Sequence, residues 1–153
     1  MTAPALVFTA AFALTFYVLG ATVVEGFVNY RTWSLVGAGE FKAYHRAVGS
    51  RVLVFVVVPI GLAIVFTACL LWWRPSSIPE WSVWISLALN VAAIGISIAF
   101  QIPIQRALDR TGLSDDLLNR LVSIEWLRNS AHVANAIVFL WMMMRLLGSD
   151  ITP

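Results

Sequence analysis

Charge is what this sequence has least of. Asp, Glu, Lys and Arg make up 12% of its 153 residues, against about 25% in an ordinary soluble chain. The apolar fraction is 60%, more than a soluble domain of this length can hide from water. Cysteine is almost missing too. The single Cys69 sits in an apolar run, which excludes an internal disulfide and the paired thiols of thiol-oxidising membrane enzymes. No Lys or Arg precedes the first apolar run, "MTAPALVFTAAFALTFYVLGATVVEGF", so the positive n-region of a secretory signal is lacking and the run reads as a retained span. The net charge is only +2 and the basic residues are scattered, which excludes a nucleic-acid patch. No repeat, low-complexity tract or linker divides the chain, so residues 1–153 read as a single transmembrane domain.

Long apolar runs are what the sequence does have. Several exceed the ~20 residues that cross a hydrocarbon core roughly 30 Å thick, and they are too long for barrel strands. The expected fold class is all-α, an integral membrane antiparallel four-helix up-down bundle. The helices are read at about 4–30, 41–73, 81–108 and 115–147. "RPSSIPE", with two prolines, separates the second from the third. In "DRTGLSDD", Gly112 can stop one helix and Ser114 can cap the next by accepting an orphan N–H bond.

Orientation follows from the basic residues. Arg31, Lys42, Arg46, Arg51, Arg106, Arg110, Arg120 and Arg128 fall on one side, and only Arg74 and Arg145 on the other. The richer side is expected to be cytoplasmic, with both termini outside, in the cell (inner) membrane. Trp72, Trp73, Trp81, Trp84 and Trp141 then mark the outer rim and Trp33 and Trp126 the inner one, as an aromatic belt.

Polar residues inside such spans are expensive and hence candidates for function. At ~1.5 Å rise per residue, Glu25, Gln101 and Arg128 share a level near the cytoplasmic edge of the hydrocarbon. Glu125, Arg128, His132 and Asn135 follow at i, i+3, i+7 and i+10, one face of the last helix, which Phe139 and Met143 continue in apolar form. Glu25 and Asn29 form an i, i+4 pair on the first helix, and Gln101 and Gln105 another on the third. Pro103 lies between those glutamines, removes an N–H and frees the carbonyl of Ala99, so a kink that opens a cavity is expected there. Asn90 and Asn135 fall at equal depth and are expected to bond to each other as structural glue. Arg106 and Arg120 read as snorkelling to headgroups.

His45 is counted ~10 Å outside the hydrocarbon, either a surface residue or a general base below the cavity mouth. On straight helices it lies too far from His132 to share a metal or serve as a haem ligand pair. No Glu-x-x-His spacing of the di-iron type occurs. No metal site is therefore expected.

Four motifs, "FKAYHRAVGSRV", "FVVVPIGLA" with its proline, "FQIPIQRAL" and "LVSIEWLRNSAH", together resemble the anthrone oxygenase-like family of small four-helix membrane proteins, a domain of unknown function in most bacterial members. The resemblance covers roughly residues 20–145. It implies a four-helix membrane fold and, as in the few assigned members, oxidation of an anthrone to an anthraquinone by O2 without a bound cofactor. Gln101, Pro103 and Gln105 match one family motif, which more often carries Asn around its proline. Trp126 and Arg128 match the last-helix signature, whereas the Arg expected shortly after His132 is replaced by Ala136 and apolar residues.

The functional expectation is a cofactor-independent oxygenase acting on a hydrophobic phenolic, anthrone- or quinol-like molecule dissolved in the lipid bilayer. Glu25, His45 or His132 would be the base and Arg128 the oxyanion partner. Asn29, Gln101, Gln105, Glu125, Asn135 and Phe139 would line the substrate. Two other readings stand beside it. One is a non-enzymatic lipid or small-molecule binding or transport accessory protein, and the other a partner-binding scaffold without ligand. Oligomeric state is left open.

Overall fold

The computed structural model describes residues 2–149, and residues 1 and 150–153, which include part of both termini, lie outside the described residues. Four helices carry nearly all of the chain, and no strand occurs among the described residues. We name them α1 (Ala3–Leu35), α2 (Phe41–Cys69), α3 (Glu80–Thr111) and α4 (Asp115–Gly148); each is long and apolar enough to cross a membrane.

Their ends have local causes. Pro4 occupies the first turn of α1, where its missing N–H is no loss. Pro79 is extended and precedes α3, whose first residue Glu80 pairs with Arg74 at 3.2 Å and accepts the indole N–H of Trp84. Gly112, at φ 92° and ψ −163°, stops α3 in a conformation open essentially to glycine alone. The Leu117 N–H then donates to Ser114 Oγ, and Asp115 and Asp116 put negative charge at the positive end of α4.

Three of the four helices are interrupted by a π-helical turn, at Glu25–Asn29 in α1, Leu53–Val57 in α2 and Ser97–Gln101 in α3. The last two each end two residues before a proline, Pro59 and Pro103. A proline inside a helix lacks an N–H and its ring crowds the carbonyl four residues back; widening the preceding turn relieves both. For Pro59 that freed carbonyl is Phe55, and it accepts the Tyr17 hydroxyl at 3.0 Å.

Two apolar clusters hold the helices. The first joins Phe8 and Ala11 of α1, Leu70 and Ile78 beyond α2, Val83 of α3, and Phe139 and Met142 of α4. The second joins Tyr30, Trp33, Phe41, Ile104, Leu108, Leu118 and Leu121. Polar residues fill the layer between them. The outer faces are apolar, with Val54, Phe55, Leu62, Val91, Ile98, Ile137, Leu140 and Met144 all exposed.

Several sequence expectations change. Helix α1 continues past Tyr30 to Leu35 and α3 past Leu108 to Thr111, while α2 ends at Cys69 and leaves Leu70–Trp72 as turns. Trp33 is no belt residue: it is 1% exposed and its ring meets Tyr30, Phe41 and His45. Trp72, Trp73, Trp81, Trp84 and Trp126 are exposed, as a belt requires. Asn90 and Asn135 do not bond to each other. Asn90 donates instead to the Ser86 carbonyl one turn back, a local partner that competes with any neighbour helix, and Asn135 Oδ1 has no partner.

Candidate functional site

The polar layer encloses a cavity of about 630 Å³. Its wall is mostly α2 and α3, with Val52, Val56 and Ile60 facing Ile94, Ile98 and Ile102. Exposed residues of both helices, Val57 and Ile98 among them, belong to that wall, so the space reaches the outer surface between α2 and α3. Both proline-linked π turns lie along this seam. A widened turn pushes its neighbour away, which is why the seam is open at this height.

Glu25 and Tyr30 of α1, His45 of α2, Gln101, Gln105 and Asp109 of α3 and Arg128 of α4 supply the polar part of the lining. The π turn explains the α1 pair. Its hydrogen bond runs from the Tyr30 N–H to the Glu25 carbonyl, five residues apart, so Tyr30 rather than Asn29 stands over Glu25. Both side chains, Glu25 and Tyr30, line the cavity. Asn29 is turned to a second cavity, about 620 Å³, between α1 and α2, which it lines with Tyr44 and Arg51. Glu25, Val48, Val52 and Val56 line both cavities.

Behind this lining the charges are paired. Glu125, 3% exposed, accepts from Arg128 Nη2 at 2.5 Å and from the amide of Gln101. Gln101 in turn accepts from Ser97 Oγ. Glu125 reaches that position because α1 has a glycine where they cross: a Cβ on Gly26 would overlap the Glu125 side chain. Arg128 is therefore held on one side while it lines the cavity on the other. A buried ion pair is expensive unless its remaining hydrogen-bonding capacity is filled, and here Arg128 Nε has no partner. In this layer two carboxylates, Glu25 and Glu125, stand near one guanidinium.

His45 is the largest departure from the sequence reading. It is 5% exposed, stacked on Phe41 and edge-on to Trp33. Its Nδ1 lies 2.8 Å from Asp109 Oδ1 and its Nε2 2.6 Å from Gln105 Oε1. It is neither a surface residue nor outside the site. His132 is also buried, with Nε2 unpartnered, but does not line the cavity. Asn135 is likewise buried and off the lining, and Phe139 packs on Phe8 with ring centroids 6.1 Å apart, inside the first apolar cluster.

So the structure brings Glu25, His45, Gln101, Gln105 and Arg128 to one cavity, sets Glu125 behind it, and leaves Asn29, His132, Asn135 and Phe139 elsewhere. Sequence reasoning missed Tyr30, Ser97 and Asp109. One carried a usable signal: Asp109 is i+4 from Gln105. Tyr30 did not, because its place depends on a π turn.

A cavity of this size suits a molecule of small-drug dimensions. Among the described residues no group of three or more His, Cys, Asp or Glu side chains is arranged to hold a metal ion. No protein-family model, curated protein or solved structure matches this chain.

Proposed function

We propose that this chain is a multi-pass membrane protein whose four helices run up and down, antiparallel, in the cell membrane. The basic ends of its helices would face the cytoplasm, following the uneven spread of Lys and Arg, and the termini the opposite side. In its cavity it oxidises an apolar molecule bearing an acidic C–H or O–H group, of the phenolic, anthrone or quinol kind, with O2 and no bound cofactor. The observation that carries this reading is the joint presence of Glu25 and Arg128 on one cavity with aliphatic walls and a side opening. The resemblance of its four motifs to the anthrone oxygenase-like family supports it.

The chemistry asks little of the protein. Glu25 takes the acidic proton, and Arg128 balances the negative charge that develops on the substrate oxygen. The electron-rich anion gives an electron to O2 and combines with it at carbon. Glu25 returns its proton to the peroxide anion so formed, and the second C–H proton then leaves with the terminal hydroxide as one water, leaving a carbonyl. In sum, one methylene group and one O2 become one carbonyl group and one water. Aliphatic walls keep bulk water from the anion.

The test is oxygen uptake by the purified protein with anthrone-like substrates in air. Arg128→Ala and Glu25→Gln should each lose most of the rate, about 10²-fold or more for the base. A wild-type rate no higher than that of Arg128→Ala discards the oxygenase reading.

A second reading has its own observation. Glu25 lines cavities on both sides of α2, as an acid trading protons for a transported molecule would. Proton-coupled flux in liposomes that disappears in Glu25→Gln, without oxygen uptake, would favour it.

A further inference from the structure

The second cavity, between α1 and α2, runs as an open groove. On α1 it passes over Gly20, where an added Cβ would meet nothing within 4 Å. A π turn widens each of the two helices beside it, at Glu25–Asn29 and Leu53–Val57. Phe16, Tyr17 and Val24 of α1 face Phe55 and Val56 of α2 along its apolar length. The Tyr17 hydroxyl donates to the Phe55 carbonyl and ties the two helices at this end. Tyr17, Gly20, Val24 and Phe55 are exposed, so the groove is open along its side. From Phe16 to Asn29 it follows α1 for 13 residue steps. That is about 20 Å of rise, against about 15 Å for the hydrocarbon of one leaflet.

The other end of the groove is polar. Asn29, Tyr44 and Arg51 line it, on the side of the bundle where Arg31, Lys42 and Arg46 also stand. Arg51 is exposed, and its Nη1 donates to the Ala47 carbonyl at 2.9 Å, one turn back, which aims the guanidinium toward that basic end. Among the described residues Arg51 forms no ion pair, and the side chains of Asn29 and Tyr44 make no hydrogen bond. Glu25 is the one carboxylate among the described lining residues. It shares the first cavity with Arg128 and is not paired with Arg51. The groove thus joins an uncompensated cation and unused hydrogen-bonding groups to an apolar length of about one leaflet. A free phosphate matches only the polar end, and an uncharged lipid only the apolar length.

We propose that this groove binds one anionic phospholipid from the leaflet at the basic end of the bundle. Its phosphate meets Arg51, Asn29 and Tyr44, and one acyl chain lies along Gly20 and Phe55. Charge complementarity selects the head: a guanidinium and phosphate oxygens form strong charge-assisted hydrogen bonds, and basic pockets beside membrane helices take anionic heads. The side opening admits the chain from the bilayer, and the glycine leaves it room. The lipid then lies against Val48, Val52 and Val56, which separate the groove from the first cavity. The inference rests on the membrane-spanning reading above and not on the oxidation.

The test follows lipid rather than oxygen. Full-length protein in detergent receives phosphatidylglycerol and phosphatidylcholine with the same chains at equal concentration, and native mass spectrometry counts the lipid that stays bound. Wild type should retain phosphatidylglycerol in preference, one molecule per chain. Arg51→Gln should lower that preference about tenfold, the loss expected of one hydrogen bond to a charged group. Arg106→Gln, which removes a cation of the same end outside the groove, should leave it unchanged. Gly20→Leu should reduce binding of phosphatidylglycerol, because leucine takes the space of the chain; Ala21→Leu serves if Gly20→Leu does not fold. Glycerol phosphate in excess should not displace the lipid, and displacement would make this a site for free phosphate and overturn the proposal. Equal loss in Arg51→Gln and Arg106→Gln, no loss in either, or undiminished binding in the groove-filling variant also overturns it. Oxygen uptake is not read here, so the lipid site and the oxidation stand or fall separately.

Discussion

Replacing Glu125 by Leu should expose how much of the site rests on one buried carboxylate. Glu125 and Arg128 are an i, i+3 pair with side chains 3% and 8% exposed and 2.5 Å apart. Leucine leaves the guanidinium in place without its closest counter-charge. Removing one partner of a buried pair costs roughly 3–5 kcal/mol, because the other charge stays desolvated and unpaired. The lower end applies here, about 3 kcal/mol, since Glu25 lines the same cavity as Arg128 and offsets part of its charge. A chain of this size loses about 2–4 °C of melting temperature per kcal/mol, so the expected fall is about 6–12 °C.

The double variant Glu125→Leu, Arg128→Met separates this cause from lost packing. With both charges gone no ion is stranded, and buried pairs replaced by apolar residues of similar volume are often neutral or more stable. Gln101 would still lack its acceptor, a loss of about 1 kcal/mol. The double variant should therefore melt above Glu125→Leu and within a few degrees of the wild type. Thermal unfolding of the four proteins in one detergent, followed by circular dichroism, gives the full cycle. If Glu125→Leu melts with the wild type, or the second substitution deepens the loss, then Glu125 is not what stabilises Arg128 and the arrangement behind the cavity is misread.

Two further substitutions probe the packing around the same layer. Gly26→Ala should destabilise by about 1–3 kcal/mol, because the added Cβ meets the Glu125 side chain; shortening that side chain, in Gly26→Ala with Glu125→Ala, should recover the part due to overlap, and equal melting of Gly26→Ala and wild type would deny the close crossing. Phe139→Ala should cost about 3–5 kcal/mol of stability, since Phe139 is fully buried on Phe8, yet leave ligand affinity of the folded protein unchanged, and a variant that stays stable while losing affinity would put Phe139 on the cavity after all.

How far the sequence could be read depended on whether a helix was regular. Helix α4 is unbroken α-helix, and there the count at 3.6 residues per turn worked: Glu125, Arg128, His132 and Asn135 are all buried. In α1 the same count failed at the π turn, since five residues rather than four bring the next side chain round, and Tyr30 took the place assigned to Asn29. For His45 the error was one of depth. Counting from the apolar run left it outside the bundle, but α1 continues far enough for Trp33 to roof it beside Phe41. Buried there, an imidazole needs partners on both nitrogens, and Gln105 and Asp109 supply them one and two turns beyond Gln101.

The π turn that misplaced Asn29 is one of three, and together they bear on function. π turns inside α-helices occur often at functional sites, and here all three supply cavity wall: Glu25 from the first, Val56 and Val57 from the second, Ser97, Ile98 and Gln101 from the third. The uninterrupted helix contributes a different part, the Glu125–Arg128 pair, on a scaffold that does not yield. Shape therefore comes from the distorted helices and fixed charge from the regular one. Pro59 and Pro103 announce two of the distortions in the sequence. The third has no proline, and its Gly26 is spent on admitting Glu125. A periodicity argument finds the charges, and the chamber has to be read from Pro59 and Pro103 instead, because what opens it is a departure from the period.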